Sequence, residues 1–395
     1  MESGLIWILA VASGLTAANL YYNQPLLPQI AAEFAQSAHA IGWVPTLAQA
    51  GYGAGMLLIV PLGDSLNRRR MILVLVSISC VLLGAVALSP SLPLLALFSL
   101  LLGFATVIPQ VALPFAASLA PAAQRGRVVG LVMSGLLMGI LLSRTAAGFL
   151  GASHGWRSVY WTAAGLMVLL GLLLYRTLPS EPPRPRLPYM TLLGSILTLA
   201  KEEPALRFHA FLGAVSFAAF SAFWATLSLH LAALPGRYGP RVAGLYGAVG
   251  LAGVLVAPLA GRHADQRGGR RVNVIALASL LAAFGVLFTL QASLWGIALG
   301  VTLLDFGTQA NQVTNQARVY SLRDDSRSRL NTVYMASYFT GGALGALMGT
   351  AAYRMSGWSG VCGVGAGFTL LGLVALLFQP SPPARNRPQA TGLKT

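Results

Sequence analysis

The chain has 395 residues, of which 56% are hydrophobic and only 9% charged, with a formal net charge of +16. A soluble domain carries roughly 25% charged residues, so this composition cannot build a water-facing surface, and lipid must be the solvent for most of it. The mean hydropathy of +0.70 agrees, and the basic residues sit in short clusters between apolar runs, which excludes a nucleic-acid footprint and fits loops at one membrane face.

Apolar runs and breakers predict twelve spans: 5–30, 40–61, 71–90, 92–118, 127–150, 157–176, 206–234, 241–261, 272–291, 293–319, 330–354 and 358–378. Each is long enough for a bilayer, which needs about 20 residues, with tilt absorbing the longer ones. The first run is long and Met1-Glu2-Ser3-Gly4 lacks a basic n-region, so it reads as a retained helix rather than a cleaved leader. With both termini cytoplasmic, all of the 26 Lys and Arg fall on the cytoplasmic side except Arg157, Arg237, Arg241 and Arg354 on the other face and Arg144 within a span. That bias is the positive-inside rule, and it requires an even number of spans.

The segment 177–205 contains Pro179, Pro182, Pro183, Pro185, Pro188 and Pro204. It reads as a cytoplasmic linker between an N-terminal six-helix bundle over 1–176 and a C-terminal one over 206–378. The Pro-rich, polar stretch 379–395 reads as a disordered cytoplasmic tail. Cys80 and Cys362 both lie in apolar stretches and make neither a disulfide framework nor a zinc site. No cofactor and no metal is expected.

The halves repeat at an offset of 202 positions: Phe104 with Phe306, Thr106 with Thr308, Gln110 with Gln312, Val111 with Val313, Arg125 and Arg127 with Arg327 and Arg329, Gly139 with Gly341, and Gly155-Trp156 with Gly357-Trp358. Chance among apolar segments matches Leu and Ala, but not Gln, Arg and Trp in one register. Two parallel repeats about an axis along the membrane normal form a known transporter design, with the substrate site between them near the midplane.

The stretch Gly261-Arg262-His263-Ala264-Asp265-Gln266-Arg267-Gly268-Gly269-Arg270-Arg271 resembles the loop after the second and eighth helices of the major facilitator superfamily, and Asp64-Ser65-Leu66-Asn67-Arg68-Arg69-Arg70 resembles a partial first copy. Asn19-Leu20-Tyr21-Tyr22-Asn23-Gln24-Pro25-Leu26-Leu27-Pro28 and Arg329-Leu330-Asn331-Thr332-Val333-Tyr334-Met335 are similar to a bacterial efflux-type subgroup labelled drug or sugar exporters. The resemblance covers almost the whole chain and implies an all-α membrane protein, the twelve-helix major facilitator fold. It also implies a gating role for Asp64, Arg68, Arg69, Asp265, Arg270 and Arg271. An Asp at a helix end with Arg nearby can latch neighbouring helix termini by charge-assisted bonds.

Two strongly charged residues lie deep in spans: Arg144 in the fifth and Asp305 in the tenth. Such a group costs about 2.5–3.5 kcal/mol on insertion scales, so it faces the bundle interior and has a role. Asp305 starts a polar stripe continued by Thr308, Gln309, Gln312 and Gln316. It is the candidate proton carrier; the other reading is a permanent bond to Arg144 or a polar neighbour. Arg144 either holds an anionic substrate group or bridges helices.

Asn19, Tyr22 and Asn23 share a helical face, Gln110 lies in the fourth span, and Asn331, Tyr334 and Tyr338 recur in the eleventh. Phe217, Phe220 and Trp224 share a face in the seventh. These suggest a cavity of amides and aromatic rings. Gly341, Gly345 and Gly349, and Gly135 and Gly139, are spaced for close helix packing. No phosphate loop surrounds Lys201 or Lys394. His39, His154, His209, His230 and His263 are scattered, so no enzyme constellation emerges.

The expected function is proton-coupled efflux of a small organic solute, drug-like or sugar-like, by alternating access. The expected setting is a monomer in a bacterial inner membrane with protons as coupling ion. Uptake or uniport by the same fold, and a non-transporting sensor, are the other readings.

Overall fold

A backbone in hydrocarbon has no water to bond, so every N–H and C=O must be satisfied within the chain, and helices do this locally. The computed structural model describes residues 3–121, 124–179, 188–250, 269–323 and 326–378, and these are helical almost throughout, with no strand among them. The helices are α1 (Ser3–Ala18), α2 (Leu27–Glu33), α3 (Ala38–Ile41), α4 (Trp43–Leu58), α5 (Arg68–Ala87), α6 (Leu92–Ala105), α7 (Ile108–Leu119), α8 (Arg125–His154) and α9 (Trp156–Thr177). They continue with α10 (Tyr189–Glu202), α11 (Pro204–Trp224), α12 (Leu227–Ala233), α13 (240–250), α14 (Gly269–Thr289), α15 (Leu294–Tyr320) and α16 (Arg327–Leu377).

Eight described segments are long and apolar enough to cross a bilayer. The other four of twelve crossings have local reasons for escaping that count. The first is broken: α1 stops at Ala18 and a 3-10 turn, Gln24–Leu26, leads into α2. Pro25 and Pro28 weaken the helix here, because neither has an N–H to give to the carbonyl of the preceding turn. The eighth is described only to residue 250, the tenth is α15 with its polar stripe, and α16 holds the last two, separated at Ser356 and Gly357, where φ and ψ leave the helical region. The segment expected to be only a linker contains α10, which buries Leu192, Ile196 and Leu199.

Lipid tails are as apolar as Leu, so burial alone does not hold these helices together, and association relies on close approach at small residues. Gly14 of α1 faces Gly135 and Gly139 of α8, and a Cβ at Gly139 would strike the Gly14 backbone. In the second half, Gly341, Gly345 and Gly349 of α16 lie on Ala214, Ala218 and Ala222 of α11 in the same way. The pairing α5 with α9 is likewise matched by α14 with the end of α16. Gly155 (φ +81°) and Gly357 (φ +60°) turn the chain at equivalent junctions, in backbone that L side chains rarely adopt. The Trp after each is buried and donates its ring N–H: Trp156 to Glu33 Oε2 at 2.5 Å, Trp358 to the Leu287 carbonyl at 2.9 Å. Val81, Leu169, Leu299 and Phe288 are exposed, as lipid-facing side chains should be.

Among the described residues, two long helix-on-helix seams join the halves. On one, α4 packs on α16, with Gly53 against Phe339 and Ala336. On the other, α8 packs on α13, with Gly148 against Gly244 and Thr145 Oγ1 donating to the Gly244 carbonyl at 2.9 Å.

Glu33, outside the spans, ties α2 to α9 through Trp156 and a direct ion pair with Arg157. The bond from Arg157 holds the Glu33 carboxyl below its ordinary range. A lowered value in the folded state means stability that is present above the usual Glu pKa and lost as pH falls through the folded value. The difference in thermal midpoint between the wild type and Glu33→Gln, measured in detergent, should therefore exist near pH ~7 and close on acidification below about 4. A pH-independent difference would rule out the linkage. At the α1–α8 seam, Gly139→Leu should lower the midpoint or prevent a monodisperse protein, since overpacking costs about 1–3 kcal/mol even where side chains can yield and here backbone must move. Gly130→Leu, with open space around its Cβ, should leave the midpoint unchanged.

Candidate functional site

A cation at bilayer depth must find compensation inside the protein. Arg144, on α8, is 1% exposed. Its Nε donates to Gln24 Oε1 at 2.6 Å, and the broken first crossing is what brings Gln24 there. The guanidinium carbon lies 4.0 Å from the centre of the Trp224 ring, 4.9 Å from Tyr21 and 5.6 Å from Phe220. Cation–π attraction is worth about 2 kcal/mol or more at a desolvated site. Nη1 and Nη2 of Arg144 and Nε1 of Trp224 are buried with no hydrogen-bond partner among the described residues. Arg144 and Trp224 line a narrow crevice with Gln24, Pro25, Leu227 and Ser228. Ser228 Oγ closes it by donating to the Gln24 carbonyl at 2.7 Å.

Asp305, on α15, is also 1% exposed, and neither of its oxygens has a hydrogen-bond partner among the described residues. It approaches α8 because α13 is nearly bare there: a Cβ at Gly250 would meet Asp305 Oδ2 at 2.7 Å and Leu141 Cδ2 at 3.2 Å. One turn earlier, a Cβ at Gly247 would meet Arg144 Cβ at 2.8 Å. Arg144 and Asp305 therefore flank one helix a turn apart. Their charges act on each other, yet they share no hydrogen bond.

From Arg144 an aromatic path leads across the molecule. Phe220 stacks on Phe217 at 5.5 Å, and Phe217 stacks on Tyr338 at 4.0 Å. Phe217 also meets Phe339 edge-on at 5.3 Å, and Phe339 lies 4.2 Å from Tyr52 of α4. Gln110 of α7 donates to the Tyr52 hydroxyl at 3.3 Å. Gln312 gathers the other end: its carbonyl accepts from Tyr334 and its Oε1 from Tyr338, both at 3.3 Å. Asn331 Oδ1 accepts from Gln316 at 2.9 Å, and Gln309 is half-buried beside them on α15.

Asn19, Tyr22 and Asn23 do not join this group. They sit in the turn after α1, on the side that faces the interior of the first six crossings. Asn19 and Asn23 line a separate crevice with Ala48, Ser99, Leu102 and Tyr160, inside the first six crossings. Of the gating loop, Arg68 Nε donates to the Gly63 carbonyl at 3.0 Å and Arg69 to the Tyr175 carbonyl at 2.7 Å, while Arg270 and Arg271 are exposed. Asp265 lies outside the described residues, and of Asp64 only the backbone is described.

Several residues at the site carry little signal in the sequence. Gln24 stands within the motif quoted for the first crossing and carried the signal unused. Gln49 of α4 accepts from Ser221 of α11 at 3.1 Å, bridging the halves. A buried amide cluster joins Asn311 and Asn315 of α15 with His209, whose Nδ1 lies 2.8 Å from Asn315 Oδ1, and with Asn273, which donates to the same oxygen at 3.0 Å. The i, i+4 spacing of Asn311 and Asn315 was the available sign of a second polar row on α15.

The family described as Major Facilitator Superfamily matches residues 9–322 and, in a second match, 210–394. The chain is 41% identical over 374 residues to "Uncharacterized transporter YgaY" of Escherichia coli O157:H7, covering 95% of each. It is 36% identical to "Probable transporter SCO4007" of Streptomyces coelicolor, over 95% of this chain and 87% of the other. It is 26% identical to "Probable sugar efflux transporter" of Helicobacter acinonychis, over 88% of each. Among solved structures, the nucleoside transporter NupG superposes with a TM-score of 0.71 at 16% identity, covering 95% of this chain and 99% of that one. An inward-facing bacterial homologue of the lysosomal transporter Spinster superposes with a TM-score of 0.69, also at 16% identity, over 95% and 94%. At such identities these two establish the shared twelve-helix fold.

Gln24→Leu should strip Arg144 Nε of its acceptor and lower the thermal midpoint in detergent, since an unmade buried bond costs about 1–3 kcal/mol. Gln24→Glu, which restores an acceptor, should recover most of the loss. Equal midpoints for Gln24→Leu and wild type would show that this bond does not hold Arg144.

Proposed function

Because the chain belongs to the Major Facilitator Superfamily and is a multi-pass bacterial membrane transporter of that type, we propose that it exports a small organic solute in exchange for protons by alternating access. The site lies between the six-helix bundles, at Arg144, Trp224 and Asp305. The bundles 1–176 and 206–378 rock about it, joined by 177–205, in the inner membrane with both termini cytoplasmic. The basic loops that favour this orientation belong to the sequence.

The observation that carries the reading is Asp305: a buried carboxyl with both oxygens unpartnered among the described residues, against α13 where the halves meet. A group with a fixed structural duty would have its oxygens bonded. Unbonded, it is open to a proton or a substrate in turn, and exchange follows when the two compete for one acceptor. The aromatic path from Arg144 to Tyr52 supplies apolar walls, and Gln312 and Gln110 supply amides along it. The relative named for sugar efflux supports the outward direction.

The test is flux in proteoliposomes over a panel of sugars, amphipathic drugs and amino acids, with and without a pH gradient. The wild type should show gradient-driven movement of at least one solute. Asp305→Asn should reduce the gradient-driven component to background. Proton-driven flux undiminished in Asp305→Asn would remove the residue from the coupling role.

A further inference from the structure

The same site offers two kinds of unsatisfied group, and they are separated. Among the described residues, Arg144 Nη1 and Nη2 and Trp224 Nε1 are donors without acceptors, and Asp305 Oδ1 and Oδ2 are acceptors without donors. Arg144 rests its Cβ, not its guanidinium, on Gly247, and carries the charge away toward Gln24 and Trp224, while Asp305 sets its carboxylate on Gly250 one turn along. The two groups share no hydrogen bond and no ion pair, and lie against glycines one turn apart on α13. A ligand that satisfies both ends at once must be an acceptor anion at one end and a donor cation at the other.

Resting on the transporter reading above, we propose that the substrate is a small zwitterion with an apolar body, of the α-amino-acid class. Its carboxylate docks on the Arg144 fork and the Trp224 ring N–H, and its ammonium on Asp305. The geometry of a guanidinium suits a carboxylate bidentately. The faces of Trp224 and Phe220, beside the guanidinium, receive the apolar side chain. A lone anion would leave Asp305 as an uncompensated second negative charge, and a lone cation would meet Arg144; each is disfavoured by like charge. Ammonium and proton then compete for the same carboxylate, which matches exchange of one for the other.

The test is counterflow in proteoliposomes preloaded with each solute, which needs no proton gradient and so does not depend on the coupling role of Asp305. Labelled leucine and phenylalanine are the probes. They are compared with their amides, which lack the carboxylate, their N-acetyl forms, which lack the ammonium, and arabinose and tetraphenylphosphonium as neutral and cationic solutes. Leucine or phenylalanine should exchange, and each blocked form should fall by about tenfold or more, the size expected for one lost charge-assisted bond. In Arg144→Gln the amide penalty should vanish while the N-acetyl penalty remains, and in Asp305→Asn the reverse, with a monodisperse gel-filtration profile confirming folding.

Wild-type discrimination decides the matter even where a variant misfolds. Blocked forms exchanging as well as the amino acids, or arabinose or tetraphenylphosphonium moving while the amino acids do not, would overturn the zwitterion and leave the transporter reading standing. If no solute moves, both fall together.

Discussion

Arg144 and Asp305 are charged groups at a depth where lipid would surround them on any outward face, and each is 1% exposed. That constraint shapes what lies around them. A charge turned inward has to be met by neighbouring helices, and the neighbours can come near only where their own side chains are small. α13 does this with Gly244, Gly247 and Gly250, which lie against Gly148, Arg144 and Asp305. The same physics, without charges, holds α1 to α8 and α11 to α16 through their glycine and alanine rows. Close packing of small residues is thus both what assembles the bundle and what allows two buried charges on different halves to share one helix between them.

The halves touch through surfaces of different chemistry. At the α4–α16 seam the contact is aromatic and amide: Tyr52 on Phe339, Gln49 on Ser221. At the α8–α13 seam it is backbone on backbone, with Thr145 bonded to the Gly244 carbonyl. Rings present broad faces, whereas a glycine seam bonded to a carbonyl fixes register. In the proposed rocking cycle, the second seam has to part for the crevice beside Arg144 to widen, and among the described residues the side-chain bonds that oppose this are Thr145 to Gly244 and Ser228 to Gln24.

Much of this was legible in the sequence, for identifiable reasons. Crossings announce themselves by length and apolarity, and the repeat by Gln, Arg and Trp matches that lipid-facing composition cannot produce. The Gly-Trp pairs were visible as letters and turn out to be matched positive-φ junctions with buried, bonded indoles. The stripe on α15 was legible from helical spacing, as was the face Phe217, Phe220, Trp224. What failed was local. Pro25 and Pro28 interrupt the first crossing, and Gln24, which the interruption delivers to Arg144, gives no sign of that role in its spacing, while Asn19 and Asn23 share a crevice within the first six crossings and not the one beside Arg144. Spacing also does not say whether an amide faces a crevice or a neighbouring helix. Gln312 and Asn315 lie three residues apart on α15, yet one bonds to Tyr338 of α16 and the other to the amide and imidazole of α14 and α11. The helix α10 was hidden behind the prolines that precede it.

The separation of Arg144 from Asp305 bears on coupling in a way that a direct ion pair would not. A buried pair is lost when its acid is protonated, and the abandoned cation then carries the full desolvation cost, which is why breaking one partner of such a pair is so destabilising. Here the guanidinium is already held by Gln24 and by the faces of Trp224, Tyr21 and Phe220, none of which depends on the charge of Asp305. Rings and an amide are compensation that no proton removes. In the proposed exchange Asp305 changes its charge without unseating Arg144, and Arg144 exchanges partners at Nη1 and Nη2, which are without a hydrogen-bond partner among the described residues, without a proton moving. Two buried charges that are near enough to sense each other and too far apart to bond are, for that reason, better suited to carrying two ligands in turn than to acting as a strut.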